Sequence, residues 1–575
     1  MTEPTVKRSK SARKLLDRIN RQDEMVWKEI YRNAERQRVD ASRLWIVRLA
    51  AGLLLGAALT YAADLALQPA AFLVAVFVMA VVTLILNKGG RLLSVAFFLF
   101  SALAEAYVMS CAMTEAANVP LPDYMRYEAV VMSQPLQKGK TLGFDALVVS
   151  LKDCEAKPFM VKMRVPNSRY GMADGRDDMP NDVDDMADGG GGTANGILDV
   201  SPGDAIYCIS VFKKPHYVAG NFDYARYLAT QGYRATTFVR VEDISRAATL
   251  SADIPYYYKL RIRMLRLRQR LLSAYQRNGM MGDNLAVLQA LTLGDKSALS
   301  ADVRTTYSVA GASHVLALSG MHLSVIFTLL MLPVARMRLI RWRIVVTAFV
   351  ITLVWLYVML VGMPLSAVRS AVMLSVLSFA TASRRGNITW ASLSLAAIIV
   401  VAVSPLSILD VGFQMSFIAV ASILLFVPVI NGILFRRPLW QRGVWRWTGQ
   451  MASVSIAAQL GVSPLTAYYF GRFSCYFLLT NFIAVPLAAL LLYGGVAMLL
   501  LHGFPLLQRL VGCALDSVLT LLGDALQFIA SLPLSSIENL RVSSVQVILL
   551  YVLILAVYLL FSRIARYRHL ILVPW

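Results

Sequence analysis

Histidine is scarce in this chain. Five occur among 575 residues, His216, His314, His322, His502 and His569, and they form no cluster. A hydrolytic metal centre is not built from such a set. The five cysteines, Cys111, Cys154, Cys208, Cys475 and Cys513, likewise show no metal-ligand spacing. Acidic residues are few, 35 against 56 Lys and Arg, for a net charge of +21. In a membrane protein much of that excess is the bias of cytoplasmic loops, so it is not by itself a nucleic-acid signature. Residues 1–43 are too long and too charged for a secretory signal. No convincing repeat relates the two halves of residues 309–561, which counts against a small-solute secondary transporter.

Apolar residues are abundant: 57% of the chain, with a mean hydropathy of +0.58. Several runs of about 18 residues or more, divided by Arg-rich or Pro/Gly breaks, describe a polytopic α-helical membrane protein. Residues 1–43 read as a basic cytoplasmic tail, and residues 44–113 as three spans: 44–63, 70–86 and 92–113. Further spans fall at 309–335, 344–361, 365–382, 388–403, 411–429, 451–470, 475–501 and 545–561, with amphipathic 507–530 as one more. Arg336, Arg338, Arg341, Arg343, Arg384, Arg385, Arg436, Arg437, Arg442, Arg446, Arg563, Arg566 and Arg568 then occupy the inner loops. The alternation closes at about twelve transmembrane helices, with both termini cytoplasmic and residues 564–575 as the C-terminal tail.

Three crossings put residues 120–244 outside, and there the pattern changes. Alternation in FDALVVSLKD (144–153), PFMVKMRV (158–165) and AIYCISVF (205–212) predicts an inserted small extracytoplasmic β sheet or barrel. Residues 171–195, dense in Asp and Gly, read as a disordered insert. Cys154 and Cys208 lie in different strands of this outer segment, where chemistry permits a disulfide although sequence fixes no Cα distance. Residues 255–278, PYYYKLRIRMLRLRQRLLSAYQRN, form an amphipathic interfacial helix with arginines among apolar residues.

The polar groups costliest in lipid concentrate in two spans. GASHVLALSGMHLSVI (311–326) carries His314, Ser319, Gly320 and His322 in a membrane-grade run. Such groups seek a protein interior or a wet cavity. Close helix packing at Ser319-Gly320 is one reading, and a helix broken where a substrate passes is the other. Arg369, within SAVRSAVM, costs about 2.5–3.5 kcal/mol in a span unless partnered, with Asp295 or Asp410 as candidate partners. Gln414 and Asn481 are further intramembrane polar groups, and Pro364, Pro464 and Pro486 can open helices toward a cavity.

Taken in order, ALTLGDKSALSADVRTTYSVAGASHVLALSGMHLSVI (290–326), PLSAVRSAVM (364–373), SPLSILDVGFQMSFIAV (404–420) and AQLGVSPLTAYYFGRFS…LTNFIAVPL (458–487) resemble the ComEC family of competence proteins. AGNFDYARYLATQGYRATTFV (219–239) is similar to the end of that family's outer domain. The resemblance implies an OB-like outer domain and a competence-type membrane channel, residues 283–563, passing single-stranded DNA across the cell inner membrane during natural transformation. It places His314, Ser319, Gly320, His322, Arg369, Gln414 and Asn481 along the DNA path. Phe222, Tyr224, Arg226, Tyr227 and Arg234 would grip a strand without reading sequence, although FDYxxYL at helical spacing also suits packing onto the barrel. Implied partners are single-stranded DNA, the lipid bilayer, a periplasmic DNA receptor, a separate nuclease, a cytoplasmic DNA-translocating helicase and a second copy of the chain. No cofactor or metal is expected and no enzymatic activity, since the HxHxDH cluster of the nuclease domain found in many members has no counterpart among these histidines. The competing readings are a permease for a small anionic solute and an assembly scaffold.

Overall fold

A strand turns successive side chains to opposite faces, and the alternation of the outer segment does this around one core. The computed structural model describes residues 45–62, 90–117, 125–138, 141–151, 158–166, 200–213, 224–247, 254–276, 280–335, 340–382, 389–435 and 443–571. The outer segment contributes strands β1 (Met125–Val131), β2 (Leu136–Lys138), β3 (Thr141–Leu151), β4 (Phe159–Pro166), β5 (Ala205–Ser210), β6 (Phe212–Lys213), β7 (Tyr233–Phe238) and β8 (Ile244–Arg246). Phe159, Val161, Met163 and Val165 of β4 all turn inward onto Phe144, Ala146 and Val148 of β3.

The sheet curls until it meets itself. The chain through β5 pairs antiparallel with β1, Ile206 opposite Ala129, and past Val211 continues as β6 against β7, Phe212 opposite Thr237. With β3 between β1 and β4, and β4 parallel to β7, the order returns to its start. A buried hydroxyl chain crosses the seam: Tyr127 Oη lies 2.7 Å from Ser210 Oγ, which lies 2.6 Å from Thr237 Oγ1, which donates to the Val211 carbonyl at 3.0 Å. Polar groups inside a barrel cost free energy unless paired, and here each finds the next. Cys208 is fully buried in this core with a free thiol, and its expected partner Cys154 falls on residues that are not described. The Cys208 side chain alternates inward with Ile206, into apolar surroundings. Cys154, the insert 171–195, the tail 1–43 and the span at 70–86 lie outside the described residues.

Two helices, α1 (Trp45–Ala62) and α2 (Gly90–Ala117), precede the barrel and pack together closely. A Cβ at Gly56 would fall 1.9 Å from the Ala102 carbonyl oxygen, so the small residue is what permits this contact. Between β6 and β7 lies α3 (Tyr224–Thr230), and after the barrel comes α4 (Tyr256–Gln276).

The second half is helical: α5 (Gly282–Leu293), α6 (Ala301–Val309), α7 (Ser313–Leu316), α8 (Gly320–Ala335), α9 (Ile340–Leu360), α10 (Leu365–Ala382), α11 (Thr389–Val403), α12 (Val411–Leu434), α13 (Gly443–Phe470), α14 (Phe477–Leu500), α15 (Pro505–Ser531) and α16 (Ser544–Ile571). The short strands β9 (Phe473–Ser474) and β10 (Ser536–Ile537) pair in its loops. Among the described residues five helices are long and apolar enough to cross a membrane: Trp342–Leu360, Val411–Leu434, Phe477–Leu500, Pro505–Ser531 and Ser544–Phe561. Four shorter apolar stretches accompany them, Val47–Ala58, Gly320–Leu332, Leu365–Ala380 and Trp390–Val403.

The apolar face of α4 is spent on protein. Ile262 joins Val130, Met132, Leu147 and Val149 of the barrel, while Leu272 and Tyr275 enter the core shared by α5, α14 and α15. Tyr275 donates to the Gly495 carbonyl at 2.9 Å, and Arg266 donates to the carbonyls of Pro202 and Gly203 at 3.1 and 3.0 Å. The helix is thus a strut between the barrel and the helical half.

Candidate functional site

The expected span at 309–335 is not one helix. The chain turns at Gly311, which has φ +82°, makes the four-residue α7, then runs extended at Ala317 before α8 begins at Gly320. Breaking a helix frees backbone groups that need new partners. α10 supplies one: Ser366 donates its hydroxyl to the Leu318 carbonyl at 2.7 Å. One turn on, Ser370 crowds Gly320, where a Cβ would lie 2.8 Å from the serine oxygen. His322 supplies another, its Nδ1 accepting from the Ser319 backbone N–H at 3.3 Å and lying 3.1 Å from Ser319 Oγ. This is the geometry of a helix N-terminal box with an imidazole in place of a carboxylate.

An imidazole that accepts at Nδ1 carries its proton, when neutral, at Nε2. His322 Nε2 is buried without a hydrogen-bond partner, which leaves an unmet donor beside the break. His314, within electrostatic range of His322, is exposed.

Arg369 lies on the same helix as Ser366 and Ser370, and its guanidinium turns to another neighbour. Nη1 meets Asp410 Oδ2 at 2.5 Å, and both side chains are buried. The same oxygen accepts the Phe413 N–H at 2.9 Å, so Asp410 caps α12 as well as holding Arg369. Gly412 makes room: a Cβ there would stand 2.6 Å from Arg369 Nη2. Of the two partners open to Arg369 in the sequence, Asp410 is the one it meets. Asp295 instead lies 3.6 Å from Arg268.

Gln414, one turn beyond Asp410, donates to the Ile408 carbonyl at 3.1 Å and accepts from Tyr469 Oη at 2.9 Å, tying α12 to α13. Asn481 on α14 has a buried Oδ1 without a partner. Its neighbour Thr480 donates to the Ala310 carbonyl at 2.7 Å, just ahead of the break. Ser319, Gly320 and His322 thus form the break itself, while Arg369 and Gln414 brace α12, and Ser366 and Ser370 are supports that the motif reading did not single out. The hydroxyls of α10 recur at i and i+4, the signal that would have found them.

The outer group is divided. Phe222 is outside the described residues, and for Arg226 only the backbone in α3 is described. Tyr224 and Tyr227 stack at 6.3 Å with 25° between their rings. Arg234 sits on β7. α3 wedges between β7 and the turn Pro405–Leu409 that leads into Asp410. Burial, aided by the Asp410 charge, pushes the Tyr227 hydroxyl above its ordinary pKa. α3 therefore joins the barrel to the helical half as well as presenting aromatics.

Residues 291–564 match the family model of competence proteins, described as "Competence protein". Over 312 residues the chain is 28% identical to ComE operon protein 3 of Bacillus subtilis (strain 168), covering 53% of this chain and 37% of that protein. It is 29% identical over 218 residues to Competence protein ComA of Neisseria gonorrhoeae, covering 36% of this chain and 29% of that one. The matched stretch spans well under half the length of either relative. No solved structure matches. The resemblance read from the motifs therefore stands, and the helical half, with its break and the Arg369–Asp410 pair, is the part of the chain that matches the competence-protein family model.

Proposed function

We propose that this protein is a membrane channel that passes a single DNA strand into the cytoplasm during natural competence. The observation that carries the reading is the break at Ala317–Ser319, with exposed His314 just before it, within the stretch that matches the competence-protein family model. A passing phosphate chain needs donors that do not trap it, because binding that neutralises many phosphates becomes tight. Neutral imidazole N–H and serine hydroxyls offer weak contacts, while Arg369, locked to Asp410, holds the wall in place. The closure order β1, β3, β4, β7, β6/β5 with one parallel pair supports reading the outer domain as an OB-type barrel, a fold used to hold single strands.

In this reading the protein lies in the cell inner membrane with about twelve spans and cytoplasmic termini, in keeping with the arginine-rich loops. It is not itself a nuclease. A receptor outside, a separate nuclease and a cytoplasmic helicase complete the route. The test is to delete the gene and score labelled DNA reaching the cytoplasm separately from DNA held at the surface. Loss of the first with the second retained supports the channel. Normal entry in the deletion strain rules it out and returns the broken helix to a small-solute permease.

A further inference from the structure

The strut helix α4 holds two arginines that neither the motifs nor the break accounts for. Arg261 and Arg268 are seven residues apart, two turns or about 10.5 Å along one stripe of the helix. Both face the turn between α9 and α10. Arg261 donates to the Gly362 carbonyl at 3.5 Å, and a Cβ at Gly362 would sit 3.6 Å from Arg268 Nη1. Arg268 reaches Asp295 at 3.6 Å, and the Nε of each arginine has no partner. These are slack contacts beside the 2.5 Å pair of Arg369 with Asp410. Both side chains are part-buried, Arg268 at 18% exposure, and a part-buried cation held by long contacts can exchange them for a passing anion more readily than a locked one.

The ends of this stripe matter. Arg261 lies in electrostatic range of Tyr233 on the barrel, whose ring has Lys162 Nζ 5.3 Å from its centroid. Below Arg268 comes exposed Lys296, whose carbonyl takes a hydrogen bond from exposed Arg304 at 2.9 Å. Gly294, two residues before Lys296, abuts Leu318: a Cβ there would lie 3.3 Å from the leucine Cδ1. Leu318 belongs to the break itself. The cations thus run from the barrel to the turn that abuts Leu318 at the break.

We infer that Arg261 and Arg268, continued by Lys296, form a handover track that passes the phosphates of a single nucleic-acid strand from the barrel to the break. The inference rests on the channel reading and adds its entry route. A sequence-blind conduit requires this chemistry: charge spaced along a path, each site weak enough to release.

The test is the salt dependence of binding. Full-length protein in zwitterionic nanodiscs is titrated with a fluorescent oligothymidylate at several salt concentrations. Each lost phosphate contact lowers the slope of log K against log salt by about 0.7 for a single strand, so Arg261→Gln with Arg268→Gln lowers it by about 1.4. Arg261→Lys with Arg268→Lys keeps the charges and retains the slope. Wild-type protein that fails to bind the oligomer overturns the channel reading and this inference together. Wild-type binding with an unchanged slope in the Gln variant overturns the track alone. A Lys variant that loses binding as fully as the Gln variant also overturns it, because the arginines then act only as struts. If the double Gln variant does not purify as a single species, Arg261→Gln alone carries the test with half the change. An effect seen only in anionic nanodiscs assigns the arginines to lipid headgroups and overturns the track.

Discussion

Asp410 Oδ2 accepts two hydrogen bonds at once, from the Arg369 guanidinium at 2.5 Å and from the Phe413 backbone N–H at 2.9 Å. One carboxylate oxygen thereby pins α10 to the first turn of α12. Removing one member of a buried pair leaves an uncompensated charge and costs about 3–5 kcal/mol, whereas removing both together costs far less. Arg369→Leu should therefore lower protein abundance sharply, and Arg369→Leu with Asp410→Asn should restore much of it. DNA entry should follow abundance in both. If Arg369→Leu instead inserts at wild-type abundance and loses entry, the arginine contacts the strand directly.

At Gly56 the distance decides the outcome. An added Cβ would meet the rigid backbone carbonyl of Ala102 at 1.9 Å, which no side-chain rotation relieves. At Gly320 the obstacle is the Ser370 hydroxyl at 2.8 Å, which can turn away. Gly56→Ala should separate α1 from α2 and deplete the protein, while Gly320→Ala costs about 1 kcal/mol or less. Immunoblots of membrane fractions would show the contrast, and equal abundance of the two variants would refute it.

Burial pushes the Cys208 thiol up to about 12, above the ordinary range near 8.5. In the folded barrel the thiol stays protonated where an unfolded chain has begun to ionise. The folded state then binds more protons than the unfolded one between about pH 9 and 12, so this group's contribution to stability is present below that window and lost as pH rises through it. Thiol reagents should leave Cys208 unmodified from pH 7 to 9 and react once denaturant opens the barrel. Fast labelling of native protein at pH 8 would place the thiol elsewhere.

These cases also show what the sequence could disclose. The alternation in β3 and β4 was legible because a half-buried strand writes its two faces into every second residue. Closure at Val211 was not, since one chain changing partners from β1 to β7 leaves the alternation unbroken. The break was legible in Ser319-Gly320, but its upstream limit was not: apolar residues 309–316 read the same in a span and in a short turn of helix. Arg369 announced a need for a partner, yet Asp410 stands 41 residues away, and only folding distinguishes it from Asp295. Likewise the apolar stripe of α4 was plain in the sequence, while its division between the barrel, at Ile262, and the helical core, at Tyr275, depends on where both lie.

A common route to hydrolysis of DNA is a metal centre that activates water. Among the described residues no group of three His, Cys, Asp or Glu stands close enough to hold a metal. Purified protein incubated with Mg²⁺, Mn²⁺ or Zn²⁺ should leave both single- and double-stranded DNA intact. Cleavage that disappears on changing one of the five histidines would overturn the expectation and assign an enzymatic step to this chain.

The proposed path at the break makes the sharpest demand. His314 is exposed while His322, eight residues further along and beyond the break, is buried with its Nδ1 committed to Ser319. After exposed Cys111, Cys475 and Cys513 are changed to serine, His314→Cys should react with a charged methanethiosulfonate reagent, and His322→Cys should not. A charged reagent cannot dissolve in lipid, so modification at 314 requires water at that depth. A single strand occupying the path should slow this modification, whereas a short phosphate anion should not, because it lacks the length to stay. Modification that a strand leaves unchanged would keep position 314 wet but remove it from the DNA path. No modification at 314 would mean the break is sealed, and the two histidines would then be packing residues at a kink.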